Sequence, residues 1–323
     1  MTAPPRRRRW GLRVLLVAVV TGLVVTGAAL AVDLGTPRRA SPPAGLHFVQ
    51  AGDVHTRYRQ WGDAGTPVVL VPGAVETADT FAPLGEVLGR THRVYALDLT
   101  GTGYSTPVAP FDLAHYADQV LAFTAALGLT GRDAPVLVGH SLGAAVVGLA
   151  ALQGGPDRVA GVMFLDGDAA PLPGISVARL LVVEPFRSAA VRLVLAADPV
   201  IRALYDSQCG PGCPPLSAAG LDQWRRPLEQ PGAETAMWAT LAHGIPALSA
   251  AQLAALRASP IPKAVAFGEQ DPQYAPGTAA AVARRIGAPP PTMVPGRHLV
   301  MVSSPTQVAA AIDALVARTG ARG

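Results

Sequence analysis

The chain has 323 residues, of which 50% are hydrophobic and 15% are charged, and its formal net charge is +4. This length and apolarity suffice for a large buried core, so the composition argues against a disordered chain. The positive excess equals Arg6, Arg7, Arg8 and Arg9, and no comparable basic run follows Arg39. The composition therefore also argues against a nucleic-acid partner.

The N-terminal region joins these arginines to a long apolar run. Residues 14–32 carry no charge, and as a helix these 19 residues would cover about 28 Å, close to the thickness of a bilayer's hydrocarbon core. Ala29-Leu30-Ala31 also matches the small-x-small pattern before a signal-peptidase site. We predict that residues 1–32 form a signal anchor or a cleaved signal peptide, with the rest of the chain outside the cytoplasm.

The segment after this run predicts a linker followed by a folded domain. Pro and Gly interrupt residues 33–45, and from residue 46 short apolar strands alternate with helices. Such alternation is typical of a mostly parallel central sheet with helices on both faces. The predicted strands are 54–61, 67–71, 93–97, 135–138, 159–165, 261–267 and 291–294. The predicted helices are 81–88, 114–127, 142–153, 277–286 and 305–318.

One long stretch, residues 169–260, breaks this alternation. It predicts several helices with Pro-rich joints, which we interpret as a helical cap inserted into a core formed by residues 46–168 and 261–323. Its apolar segments 175–183 and 189–204 would either line a pocket for an apolar substrate or only pack the cap onto the core.

The two cysteines of the chain lie close together within this stretch. Cys209 and Cys213 form Cys-Gly-Pro-Gly-Cys, which outside the cytoplasm permits a disulfide across a very short loop. No histidine or further cysteine lies near them in sequence, so the pattern argues against a metal site. Whether they pair stays open at this stage.

The strongest local motif lies near the middle of the chain. Val136-Leu-Val-Gly139-His140-Ser141-Leu142-Gly143 is an apolar strand that runs into Gly-x-Ser-x-Gly and then into a helix. The glycines allow neighbouring backbone to pass closely, so the serine can occupy a sharp exposed turn. We predict Ser141 as a nucleophile, with the Leu142 N–H at the helix start as an oxyanion donor.

This arrangement resembles the α/β-hydrolase family, from about Leu46 to the C-terminal helix, with the cap as the least matched part. Val71-Pro72-Gly73-Ala74 follows a strand where the family usually has His-Gly-x, which implies the Ala74 N–H as a second oxyanion donor although Pro72 replaces the histidine. Residues 98–105 are similar to the family's Asp-x-x-Gly-x-Gly-x-Ser turn, which implies structural support. They lack the third glycine of a dinucleotide-binding fingerprint.

The resemblance also implies the two partners of the nucleophile. Asp271 follows a predicted strand in a Gly-x-x-Asp sequence and is the preferred acid, whereas Asp166 and Asp168 follow an earlier strand from which some family members recruit the acid. His298 follows the last strand and resembles the family's Gly-x-x-His loop. The order Ser, Asp, His is the one expected for this fold. We expect His140 to point elsewhere, because adjacent residues diverge in a tight turn.

These residues together predict a serine hydrolase that cleaves an ester through an acyl-enzyme, without a metal or an organic cofactor. The apolar cap and the N-terminal helix favour a small-molecule ester or a lipid-like substrate near a membrane. A peptidase, an acyltransferase or a cofactor-free perhydrolase would use similar residues. A non-catalytic ligand-binding or receptor-like protein on the same fold is the alternative outside enzymes, because fold alone does not fix function.

Overall fold

The computed structural model describes residues 6–35, 42–171, 183–243 and 245–320. Its centre is an eight-stranded sheet with the order β1-β2-β4-β3-β5-β6-β7-β8. The strands β1 and β2 pair with each other and β2 pairs with β4 in antiparallel fashion, and all other pairs are parallel. The strands are His47–Ala51 (β1), Val54–Trp61 (β2), Pro67–Val71 (β3), Arg93–Leu97 (β4), Val136–His140 (β5), Gly161–Leu165 (β6), Lys263–Gly268 (β7) and Thr292–Val294 (β8).

Helices cover both faces of the sheet, which confirms the predicted α/β-hydrolase fold class. The core helices are Ala82–Leu88 (α2), Leu113–Ala126 (α3), Leu142–Gly154 (α4), Thr278–Ile286 (α10), Val300–Ser303 (α11) and Pro305–Thr319 (α12). Successive residues of a central strand alternate between the two resulting cores: Leu137 packs beneath α3 and α4, whereas Val138 packs beneath α2 and α12. Both faces of β3, β5 and β6 are therefore buried, which explains their unbroken apolar sequences.

The sequence predictions differ from the structure mainly at the strand ends. The antiparallel strand β1 was not predicted, because a five-residue edge strand of mixed polarity carries little signal. Strand β7 starts at Lys263 rather than at residue 261. Pro262 lacks an N–H, and it contributes its carbonyl to the Val162 N–H of the neighbouring strand instead.

The chain leaves the sheet for about a hundred residues between β6 and β7. The described helices there are Phe186–Ala196 (α5), Asp198–Cys209 (α6), Ala218–Arg225 (α7), Ala233–His243 (α8) and Ala250–Ala258 (α9). Helix α9 packs against the core helices α4 and α10. A disulfide joins Cys209, the last residue of α6, to Cys213. The predicted apolar segment 175–183 lies outside the described residues except for Val183.

The N-terminal apolar run is helical. Helix α1 spans Arg6–Gly35, so it ends three residues beyond the predicted anchor and takes up the start of the predicted linker. Residues 36–41 of that linker lie outside the described residues. Within α1, Arg13–Gly35 is long and apolar enough to cross a membrane, and it is the only helix of the described residues that meets both criteria.

Candidate active site

Ser141 occupies a strained turn between β5 and α4. Its backbone has φ 52° and ψ −117°, a conformation that non-glycine residues rarely adopt. A Cβ atom on Gly139 would lie 2.1 Å from the Gly143 carbonyl oxygen, and one on Gly143 would lie 2.4 Å from that of Val71. Both glycines are therefore required sterically. The Ser141 N–H donates to the Leu165 carbonyl at 2.9 Å, which fixes the turn to the next strand.

The loop after β3 passes directly over Ser141. A Cβ atom on Gly73 would lie 2.9 Å from the Cβ of Ser141, so only glycine permits this approach. Ala74 follows and lines the same cavity as Ser141. Leu142 is the first residue of α4, and its N–H has no acceptor within the helix. The two predicted oxyanion donors therefore belong to backbone segments that flank Ser141.

His298 and Asp271 form a buried pair at the carboxyl end of the sheet. The His298 Nδ1 lies 2.8 Å from the Asp271 Oδ2, and both side chains are almost fully buried. Burial alone would raise the pKa of Asp271, but the hydrogen bonds from His298 and the Gln273 N–H, together with the charge of His298, lower it. An ionised Asp271 accepts a hydrogen bond from Nδ1–H, which leaves Nε2 of a neutral imidazole free to accept a proton.

Glycines also shape the two loops that carry this pair. Gly296 has φ +125°, and a Cβ atom on Gly268 would lie 2.3 Å from the Arg297 carbonyl oxygen. The Gln273 N–H donates to the second carboxylate oxygen of Asp271 at 2.8 Å. The acid is thus held from two sides.

The alternative acids have other partners. The Asp166 Oδ1 accepts the Gly268 N–H at 2.7 Å, and Asp168 accepts the Ala170 N–H at 3.0 Å. Within the described parts of the chain, neither carboxylate hydrogen-bonds His298. Burial raises the pKa of Asp166 well above its ordinary value, and the nearby charge of Asp271 raises it further. The geometry therefore pairs Asp271, rather than Asp166 or Asp168, with the histidine.

A second buried pair, Glu76 and His140, was not anticipated from the sequence. The His140 Nδ1 lies 2.8 Å from the Glu76 Oε2, and its Nε2 lies 2.9 Å from the His298 carbonyl oxygen. The same Glu76 oxygen accepts the Gly73 N–H at 3.0 Å. This pair therefore connects the loop over Ser141 with the loop that carries His298.

The hydrogen-bond partners of His140 define its protonation. A carbonyl oxygen only accepts, so Nε2 must carry a proton, and an ionised Glu76 requires one on Nδ1 as well. Burial opposes both charges, but the partner's charge and the hydrogen bonds at each group together outweigh it, so the pKa of His140 is raised and that of Glu76 is lowered. These shifts favour a buried ion pair of imidazolium and carboxylate.

A mostly apolar cavity of about 440 Å³ lies beside these residues. Ser141, His298 and Ala74 line it, together with residues of the helices after β6. The predicted apolar segment 189–204 contributes residues to this lining, which include Val194, Leu195, Ile201 and Leu204. Its volume lies within the range of small-molecule sites.

The turn after β4 has the structural role that the resemblance implies. Asp98 is fully buried, where it contacts Arg57 and accepts the N–H groups of Ala78 at 2.7 Å and Tyr104 at 2.8 Å. A Cβ atom on Gly103 would lie 2.0 Å from the Asp98 Oδ2, so the carboxylate needs a glycine there.

Two clusters of side chains in the site have metal-ligating chemistry, and they share His298. The donor atoms of Glu76 and His140 form one cluster with it, and those of Asp166 and Asp271 form the other, each set within 4.8 Å. Most of these atoms already hydrogen-bond to neighbours at the site. We therefore interpret both clusters as hydrogen-bond networks.

Known proteins resemble this chain in sequence or in fold. N-formylmaleamate deformylase from Pseudomonas putida is 37% identical over 110 residues, which cover 33% of this chain and 40% of that protein. The match therefore spans less than half of that relative's length. The Thermogutta terrifontis esterase has a similar fold, with a TM-score of 0.64 and 22% identity over 85% of this chain and 99% of that one.

The structure of a membrane phospholipase A, described as a bacterial virulence factor, covers 98% of this chain and 99% of its own, with a TM-score of 0.66 and 22% identity. The family model named alpha/beta hydrolase family matches residues 68–311, which include every candidate site residue. The chain therefore belongs to the alpha/beta hydrolase family and has hydrolases among its relatives.

Proposed function

We propose that the protein is a serine hydrolase that cleaves an ester with an apolar acyl group. The observation that carries this proposal is the pairing of His298 with Asp271 at 2.8 Å beside the cavity that also contains Ser141. The three residues supply a nucleophile, a base and an orienting acid. No step of this chemistry requires a metal ion or an organic cofactor.

In the proposed reaction, the Ser141 hydroxyl attacks the ester carbonyl while His298 Nε2 takes its proton. The N–H groups of Ala74 and Leu142 stabilise the oxyanion, and His298 then protonates the departing alcohol. Water, activated by the same histidine, releases the acid from the acyl-enzyme. Asp271 remains ionised and stabilises the imidazolium that forms in both steps.

The preference for an apolar acyl group rests on the cavity. Aliphatic and aromatic side chains dominate its lining, and Gln208 and Gln273 are among the few polar groups. An aliphatic chain placed there would gain about 0.8 kcal/mol for each CH₂ group removed from water. The similarity to a membrane phospholipase A over nearly the whole chain supports a lipid-like ester.

We further propose that α1 anchors the enzyme in a membrane. The span Arg13–Gly35 contains 23 residues, which as a helix cover about 35 Å. The arginines before it would remain in the cytoplasm, so the catalytic domain would lie on the opposite side. The disulfide between Cys209 and Cys213 fits such an oxidising compartment.

The test is hydrolysis of p-nitrophenyl esters of increasing acyl length by the full chain in detergent, beside its Ser141→Ala variant. We expect turnover that depends on Ser141 and that improves with chain length. Equal turnover by both proteins would overturn the assignment of the nucleophile. Failure to hydrolyse any ester, together with failure to react with a fluorophosphonate probe, would favour a ligand-binding protein on this fold.

A further inference from the structure

Helix α1 packs against the cap helix α5, and the contact includes part of the apolar run 14–32. The less exposed residues of the C-terminal half of α1 are Thr26, Ala29, Val32 and Asp33, a spacing that places them on one helix face. This face meets α5, where the Arg192 Nη1 lies 3.0 Å from the Asp33 Oδ1. The contact therefore extends inward from Asp33 to Thr26.

The position of this contact along α1 fixes the depth of the cap relative to a bilayer. The uncharged run 14–32 is only as long as the hydrocarbon core is thick, so all of it must lie inside to be shielded from water. Thr26 lies six residues before Val32, which corresponds to about 9 Å along the helix. A helix that packs on Thr26 and Ala29 must therefore reach below the headgroups.

A cap surface that lies below the headgroups must be apolar, and helices α5 and α6 expose large apolar side chains. Phe186 and Leu193 lie seven residues apart on α5, and Val200 lies at the start of α6. Leu193 is 57% exposed and Val200 is 41% exposed, although both are large aliphatic residues. The nearby charges of Glu184 and Arg187 pair with each other at 2.5 Å, which reduces their cost at an interface.

Two exposed residues of the same helices also line the cavity. Val194 and Leu204 line the cavity that contains Ser141, and they remain 40% and 55% exposed. They neighbour Leu193 and Val200 along helices α5 and α6. An acyl chain that entered between these helices would pass from the surrounding surface to the nucleophile along apolar side chains.

We infer that the face of α5 and α6 formed by Phe186, Leu193, Val200 and Leu204 inserts into the leaflet on the catalytic side of the membrane, so that the cavity opens toward lipid acyl chains. This inference rests on the proposed function and on membrane anchoring through α1. A surface of this kind binds through its buried apolar area, as interfacial amphipathic helices do. The substrate would then reach Ser141 without crossing water.

Depth-dependent fluorescence tests this position directly. The native cysteines are paired, so a Leu193→Cys variant of the full chain has one free thiol, which is labelled with the environment-sensitive dye NBD in phosphatidylcholine vesicles. We expect a blue-shifted emission that lipids spin-labelled in the upper acyl chain quench. The matched control is Ala126→Cys, at an exposed residue that ends the core helix α3 outside the cap. For this control we expect a water-like emission without quenching.

A second measurement separates this inference from the proposed catalysis. Phe186 and Leu193 lie outside the cavity lining, so the variant Phe186→Gln/Leu193→Gln should hydrolyse a dissolved butyrate ester at the native rate. The same variant should hydrolyse vesicle phospholipid at least tenfold more slowly. If the double variant hydrolyses both substrates at native rates and the dye at residue 193 shows a water-like emission, membrane insertion is overturned and the proposed function is not. If the native protein does not hydrolyse the butyrate ester, the proposed function is overturned.

Discussion

Asp166 and Asp271 present carboxylate oxygens within 4.8 Å of each other at one histidine, yet only Asp271 hydrogen-bonds it. Burial sets them apart: the pKa of Asp166 is raised well above its ordinary value, while contact with His298 lowers that of Asp271 despite its own burial. Two adjacent carboxyl groups rarely ionise together at close range. The site therefore favours the neutral form of Asp166 and the ionised form of Asp271.

The two acids should respond differently to amide substitution. Asp271→Asn removes the charge that orients His298 and stabilises its imidazolium, so we expect kcat to fall by about 10⁴-fold. Asp166→Asn replaces an acid that burial favours as neutral with a neutral amide of the same shape, so kcat should change by less than about tenfold. Steady-state kinetics on a p-nitrophenyl ester checks both, and the reverse ranking would make Asp166 the acid.

The ion pair between Glu76 and His140 predicts a pH-dependent contribution to stability. Because the pKa of His140 is raised, its contribution is fully present below the ordinary value of 6.5 and is lost as pH rises through the raised value. Because the pKa of Glu76 is lowered, its contribution is present above 4.5 and is lost as pH falls through the lowered value.

Comparison of native protein with Glu76→Gln isolates this contribution. The difference in free energy of unfolding should be largest between pH 4.5 and 6.5, on the order of 1.5 to 3 kcal/mol, and should shrink on either side. Denaturant titrations at several pH values measure it. A difference that is constant with pH would mean that the pair is not ionised.

Gly73→Ala should inactivate the enzyme with little loss of secondary structure. Its Cβ atom would lie 2.9 Å from the Cβ of Ser141 and 3.1 Å from the Glu76 Oε1, so the loop that carries Ala74 must move. A shift of about 1 Å in catalytic geometry costs roughly 100-fold in rate. The control is Gly320→Ala, since nothing lies within 4 Å of the added atom there, and equal rates for the two variants would contradict this account.

Filling the cavity should shorten the preferred acyl chain. Ile201 lines the cavity and is buried, so we expect Ile201→Trp to reduce kcat/KM for long-chain esters by at least tenfold and to spare acetate and butyrate esters. Val200 is adjacent but exposed, which makes Val200→Trp the matched control in detergent. Parallel loss across all chain lengths in the Ile201 variant would instead indicate a distorted cap.

Local sequence determined those parts of the protein that depend on neighbouring residues. The apolar strands, the Gly-x-Ser-x-Gly turn and the 14–32 run follow from periodicity, chain length and the conformational freedom of glycine. The resemblance added Asp271, and the structure places it against His298. These features need only a few consecutive residues, which is why a single sequence reveals them.

Only the tertiary structure decided relationships between distant segments. His140 and Glu76 are 64 residues apart, and Asp166 and Gly268 are 102 apart, yet each pair is joined by a hydrogen bond inside the core. Nothing local distinguishes Glu76 from an exposed loop glutamate. Burial distinguishes it, because an unpaired charge is costly inside the core. The protonation of each buried group therefore depends on a partner that only the fold brings near.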